Sequence, residues 1–209
     1  MEYINTILNT PEENISFDEF LLNEAEEDQR STTLRFWELK KYTVVLGRGC
    51  SVFDDVFIDN CKKDNIKIIQ RSSGGGTVIL GQGCLNYSLI LPYSNNTALL
   101  NIKNSFKYIL YKLIEGFGHR GINLNYEPVS DLVIDNKKVS GNAQARRKKF
   151  LLHHGTFLYD FDIDRLSYYL KKPKKAPEYR KDRPHKNFLA NLSLSSGEIK
   201  KTIKNAFLF

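Results

Sequence analysis

Arg71 stands directly before Ser72, Ser73 and three consecutive glycines, Gly74, Gly75 and Gly76, and Thr77 closes the run. Glycine loses more backbone freedom on folding than any other residue, so three in a row between apolar segments need a reason. One reason is a bare backbone whose N–H groups converge on an anion, with the guanidinium adding a fixed positive charge. That chemistry suits a phosphate or a carboxylate. A tight hairpin without a ligand is the plainer alternative, and the adjacent arginine tips the balance towards the anion site. A second candidate is Lys138, whose strand bends at Val139-Ser140-Gly141, where a ligand could approach. Opposite an anion cradle, a lysine would neutralise charge that grows during phosphoryl or acyl transfer. Taken alone it is a solubilising residue on a strand edge. His153 and His154 are neighbours on an expected strand, so at most one enters a given site and they make no metal pair. Cys84 reads first as a small buried side chain and only second as a reactive thiol. No Ser–His–Asp triad can be argued from spacing, because such triads are assembled in space.

These residues need elements to hold them. Ser16-Phe17-Asp18-Glu19 predicts a capping box, followed by a helix to about Asp28 with Phe17, Phe20, Leu21 and Ala25 inward and Glu24, Glu26 and Glu27 on a solvated face. Strands are expected from Leu34 to Trp37 and from Tyr42 to Leu46, the second ending in Gly47-Arg48-Gly49, a second arm for an anion site. A short helix over 54–64 leads to a strand (Ile66 to Ile69) that delivers Arg71; Val78 to Leu80 and Leu85 to Leu91 follow as strands. Ile102 to Phe117 repeats its apolar residues at helical spacing, and Gly116 and Gly118 are read as its end. Leu132 to Ile134, a turn at Asp135-Asn136 and a return over 138–143 form a hairpin. Arg146 to Lys149 is read as a solvated basic tip. Asp164 to Leu170 is a short helix, 171–177 a surface loop, and Ser196 the cap of a final helix with Ile199, Ile203 and Phe207 inward. The fold class is α+β: a central mixed or antiparallel sheet flanked by helices, in a single domain over 1–209.

Composition narrows the setting. A chain of 209 residues can bury a core without disulfides or metal. Three cysteines without metal-ligand spacing suit a reducing compartment, and no membrane span or signal pattern is read, so the expected location is cytoplasmic. The net charge of +7 asks for an acidic partner. Basic residues without interleaved aromatics speak against nucleic acid.

Three blocks in order, 71–77, Asp131-Leu132-Val133 through Lys138-Val139-Ser140-Gly141-Asn142-Ala143, and His153-His154-Gly155-Thr156, resemble the catalytic domain of the lipoate–protein ligase family, within the biotin/lipoate ligase and octanoyltransferase superfamily. Val44 to Arg48 is similar to that family's first strand and turn. The resemblance implies that Arg71, Ser73, Gly74, Gly75, Gly76 and Thr77 hold the acyl carboxylate and adenylate phosphate. It implies that Asn86, Ser140, Gly141, Ala143, His154, Gly155 and Thr156 line the pocket, with Lys138 as the catalytic contact to the acyl-adenylate. The implied substrates are lipoate and ATP with Mg²⁺, without a resident metal. The implied partners are an acidic lipoyl domain or glycine-cleavage H protein, and a separate accessory subunit for adenylation, because little chain follows residue 170. An ATP-independent octanoyl or lipoyl transferase is the alternative, although the cysteine such enzymes use has no counterpart at the usual positions. A non-catalytic lipoate or adenylate binder is the alternative of another class.

Overall fold

The computed structural model describes residues 1–28, 32–173 and 176–208. Strand β1 (Glu2–Ile4) leads into α1 (Pro11–Asp28). Thr10 caps α1: its Oγ accepts from the Glu13 N–H (3.1 Å), and the Glu13 carboxylate accepts from the Thr10 N–H (2.9 Å). The expected cap at Ser16 is therefore corrected to Thr10. Proline fits the first helical position, where its missing N–H costs nothing, so the helix starts at the earlier Thr-x-x-Glu box. Ser16 sits inside the helix and donates to the Glu12 and Glu13 carbonyls.

Next come β2 (Thr33–Trp37), β3 (Thr43–Leu46), α2 (Val52–Asp55), α3 (Ile58–Lys63), β4 (Lys67–Gln70), β5 (Val78–Leu80) and β6 (Cys84–Pro92). Helix α4 (Ile102–Gly118) precedes β7 (Asn125–Glu127), β8 (Asp131–Ile134), β9 (Lys137–Arg146) and β10 (Phe150–Leu158). The chain continues through α5 (Asp164–Tyr169), α6 (His185–Phe188) and α7 (Ser196–Ala206). The cap of α7 is Ser195, one residue before the expected Ser196, in a box closed by Glu198. Asp135 and Asn136, both at positive φ, make the two-residue turn between β8 and β9.

A seven-stranded mixed sheet runs β1-β2-β6-β10-β9-β8-β7, and a three-stranded sheet runs β4-β3-β5. Alternation along the long strands decides the layers. Leu85, Tyr87 and Leu89 of β6, with Leu151 and Phe157 of β10, face the core shared with α4 and α7. On the opposite face, Ile90, Phe150 and Leu152 pack against Leu21, Leu22 and Ala25 of α1. The small sheet forms a second core with α3, α5 and α6. Gly116 lies within α4, where it lets Ala206 of α7 approach closely, so it is a packing residue rather than a helix end.

The basic hairpin tip is also corrected. Arg147 pairs with Glu19 (3.0 Å) and bonds Asn23, and Glu26 accepts from the backbone of Lys149 and Phe150. Arg146 stacks over Tyr93 and donates to the Leu99 carbonyl. Part of the expected solvated acidic face of α1 and the basic tip thus neutralise each other, an arrangement that needs two segments over a hundred residues apart.

Candidate active site

Strands β4 and β5 do not pair with each other. They flank β3, parallel and antiparallel respectively, so the glycine run crosses over the end of β3 instead of closing a hairpin. The crossing loop hangs over the polar face of the large sheet. Two cross-strand rows make that face: Trp37–Asn86–Thr156–Gly141–Asp131 and Arg35–Ser88–His154–Ala143. Between loop and sheet lies a cavity of about 990 Å³. Gly74 to Thr77, Asn86, Lys138, Ser140, Gly141, Ala143, His154, Gly155 and Thr156 all border it, as does Arg71.

Arg71 is the staple of the loop. Its Nη2 donates to the carbonyls of Gly74 (2.7 Å) and Gly76 (2.9 Å), its Nη1 to Val45 and its Nε to Ser73 Oγ (3.0 Å). Burial lowers its pKa to about 10, and among the described residues no carboxylate pairs with it. Arg71 is expected to bind the anion directly; in the structure four of its five N–H donors are engaged by the protein, three of them by the loop and one by Val45, and its charge remains beneath the glycines. A buried guanidinium without a counter-ion leaves a positive potential that an anion would satisfy. Gly75 has φ +89°, and a Cβ there would lie 2.9 Å from Arg71 Nη2, so this position requires glycine. The other glycine arm contributes one brace, the Arg48 N–H to the Ser73 carbonyl (2.9 Å). Thr77 donates to Asp55 (2.6 Å), pinning the loop exit to α2.

The two histidines separate by face, as strand alternation demands. His154 Nε2 lies 2.7 Å from Ser73 Oγ. Burial and the Arg71 charge lower its pKa to about 3, so the ring stays neutral in this hydrogen bond. His153 is sealed in the α4 core between Tyr87 and Gln144, also with its pKa lowered to about 3. Ser140 and Gly155, expected as pocket walls, have their side-chain positions on the same rear face. Gly155 leaves room for Asn142 to cross to Tyr87 (2.6 Å), and Asn142 also bonds Ser140. What Ser140 and Gly155 offer the cavity is backbone.

Lys138 reaches the cavity through an irregularity. Leu132 pairs with Ser140 but Val133 with Lys138, which makes Val139 an extra residue, a β-bulge. Unbroken alternation would put Lys138 on the rear face with Ser140 and Asn142; the bulge returns it to the face of Gly141. Its amine pairs with Asp131 at 2.7 Å, and a Cβ at Gly141 would come 2.7 Å from that amine.

The model of the lipoyl protein ligase A/B catalytic domain matches residues 10–207. This chain belongs to that family. A probable lipoate-protein ligase A from Mycoplasma pneumoniae is 30% identical over 166 residues, 79% of this chain and 48% of that protein. The octanoyltransferase LipM of Clostridioides difficile is 31% identical over 186 residues, covering 80% of this chain and 68% of that protein. Among solved structures, a bipartite lipoate protein ligase from Thermoplasma acidophilum, studied with its E2 lipoyl domain, superposes with a TM-score of 0.77 at 25% identity, over 99% of this chain and 82% of that one. The chain spans about half the length of the first curated ligases it matches.

Within this lipoyl ligase-type domain, sequence reading missed two contributors. Asp131 accepts from Tyr179 (2.7 Å) on the carboxylate oxygen that Lys138 does not use, and the Ala190 N–H donates to the Lys138 carbonyl (3.0 Å). The segment after α5 thereby closes over the lysine. Arg180 is 4% exposed, borders the cavity, stacks on Phe188 and leaves Nη2 without a hydrogen-bond partner. The only advance signal was the unusual density of Tyr, Arg and His between Tyr179 and His185. Of the thiols, Cys84 is buried with its pKa pushed up to about 12, which removes it as a nucleophile, while Cys50 is half-buried at the cavity and donates to the Gly75 carbonyl. Among the described residues no group of three His, Cys, Asp or Glu could hold a metal ion, and no helix is long and apolar enough to cross a membrane.

Proposed function

We propose that this domain is the catalytic unit of a lipoate–protein ligase-type acyltransferase, joining lipoate through lipoyl-AMP to a lysine of a lipoyl domain or H protein. The observation that carries this reading is the pairing, around one cavity, of a glycine loop organised on a buried cation and an amine brought to the same face by a bulge. The apolar lipoyl chain would lie among the inner side chains of the cavity, with its carboxyl end at the exposed N–H groups of Gly74 to Gly76. Lys138 would leave Asp131 to contact the carbonyl and phosphate oxygens, and Arg180 with its unused donor would take part of the nucleotide's charge. Asn86, Ala143 and Thr156 would shape the floor, while Arg71, Ser73 and His154 would keep the loop in register without touching the reacting atoms.

In the first step a lipoate carboxylate oxygen forms a bond to the α-phosphorus of ATP and pyrophosphate leaves. In the second, the acceptor lysine forms an amide with the acyl carbon, the carbon–oxygen bond to phosphate breaks, and AMP leaves as a proton is released. Magnesium would arrive on the nucleotide phosphates, consistent with its preference for phosphate oxygens and water. The domain boundaries proposed here are 1–209, with 171–209 as a C-terminal extension of the same unit; adenylation would be helped by an accessory subunit, as the bipartite organisation of the archaeal relative suggests. Pyrophosphate exchange with ATP and lipoate tests the reading: exchange lost in Lys138→Ala, with the fold retained, is the expected outcome.

The LipM relative favours a second reading, ATP-independent octanoyl or lipoyl transfer from a carrier thioester. A covalent relay would require Cys50, the half-buried thiol at the cavity, because burial disables Cys84. Transfer from an acyl carrier without ATP, lost in Cys50→Ala, would establish it over the first.

A further inference from the structure

The chain's positive charge is not spread evenly. Residues 171–186 hold eight Lys and Arg against two acids, a surplus of six within a chain whose net charge is +7. This same segment rims the cavity through Lys171, Ala176, Pro177, Arg180 and His185. Beside the rim, a groove of about 300 Å³ is lined by Phe57, Ser167 and Lys172 and shares Leu170, Arg180 and His185 with the main cavity. Phe53, the chain neighbour of the cavity-lining Asp54, is 76% exposed, the most exposed large apolar side chain of the described residues, and the Lys171 amine donates to its carbonyl (2.7 Å) while lying over the Phe57 ring. Val129, 61% exposed, also borders the main cavity, whereas Ile7, Leu100, Ile102, Tyr111 and Leu208 border neither opening. Two nearby carboxylates are neutralised within the surface, Asp182 by Lys172 and Asp164 by Lys186, and Asp55 accepts from the Thr77 hydroxyl.

We propose that the rim formed by residues 171–173 and 176–186, with Phe53 and the Phe57 groove, is the docking surface for the acidic carrier domain whose lysine enters the cavity. Charge selects the occupant: a carboxylate-rich surface is steered to the rim, and the two aromatics supply the contact that holds it. A second copy of this chain would bring the same excess of cations and be repelled. The inference rests on the acyl-transfer reading and adds the face on which the acceptor sits.

The test uses the whole chain, synthetic lipoyl-AMP as donor and a recombinant acidic lipoyl domain as acceptor, with calorimetric binding of a non-hydrolysable lipoyl-adenylate analogue alongside. In the Phe53→Ser/Phe57→Ser variant and, separately, in Lys181→Glu/Lys186→Glu, the KM for the acceptor is expected to rise about tenfold or more, while analogue affinity stays within about twofold. Raising the salt should raise the wild-type KM and have a smaller effect on the charge variant. An unchanged KM in both variants overturns the docking surface. So does a KM rise matched by an equal loss of analogue binding, because the residues would then be supporting the cavity. Absence of both transfer and analogue binding in the wild-type chain is a different result and would remove the acyl-transfer reading itself.

Discussion

The two walls of the cavity are built on opposite plans. The glycine-loop wall is wired from within: Arg71 reaches carbonyls three and five residues ahead of it, and Ser73 and Thr77 tie the loop to His154 and Asp55. The Lys138 wall is a hairpin closed from outside, with Asp131 from one strand, the amine from the next and Tyr179 from the distant closing segment. The first wall is preorganised by these bonds to its carbonyls and side chains. The second holds its lysine in an ion pair that a ligand must exchange for contacts of its own. On the proposed reading the difference would divide the work: one side would fix the substrate's position and the other would move to meet the charge that develops.

Changes to each wall should therefore fail differently. Lys138→Ala should lower acyl transfer by about a thousandfold or more, the scale of removing a preorganised electrostatic contact, and cost only about 1 kcal/mol of stability in urea unfolding, because its ion pair is partly exposed. Full activity in that variant would reduce the second wall to a structural hairpin. Arg71→Met should lose both ligand affinity and stability, the latter by about 3 kcal/mol for several buried bonds to carbonyls; a variant that loses binding alone would show that the loop does not need its staple. Gly75→Val, which meets both the positive φ and the guanidinium, should abolish the thermal shift given by a lipoyl-adenylate analogue, and a retained shift would move the anion elsewhere.

The histidines give a smaller effect that depends on pH. Both have folded pKa values of about 3, below the ordinary 6.5, so the unfolded chain takes up protons first as pH falls. Their contribution is complete above about pH 6.5 and is lost on descent towards 3, at up to about 1.4 kcal/mol per pH unit for each. Urea midpoints measured from pH 7.5 to 4.5 should show this slope, and His154→Gln should roughly halve it. Smallest of all, Tyr179→Phe should slow transfer several-fold with little change in substrate KM and about 1 kcal/mol or less in stability; no change would leave Asp131 held by Lys138 alone.

Much of the fold could be read along the chain because its signals are local. The α4 repeat, the Asp135-Asn136 turn and the β6 alternation each depend on residues a few positions apart, and each element lies where its pattern predicts. The opposite facing of His153 and His154 followed from strand geometry alone. Signals with near-duplicates were less legible. Thr10 and Ser16 both begin a box ending in Glu, and Pro11 makes the earlier one the start. At α7 the box itself separates the neighbours, because Glu198 follows Ser195 by three residues whereas Ile199 follows Ser196.

The residue types by themselves determined that this protein has a glycine loop behind an arginine, an amine in a hairpin and an α+β frame, since conformational preference and alternation are properties of short segments. Tertiary structure decided what those parts face. A single extra residue at Val139 turns Lys138 from the rear of the sheet to the cavity, and β3 between β4 and β5 turns an apparent hairpin into a crossing loop. Register and pairing are set by partners distant in the chain, and a shift of one position exchanges one face of a sheet for the other.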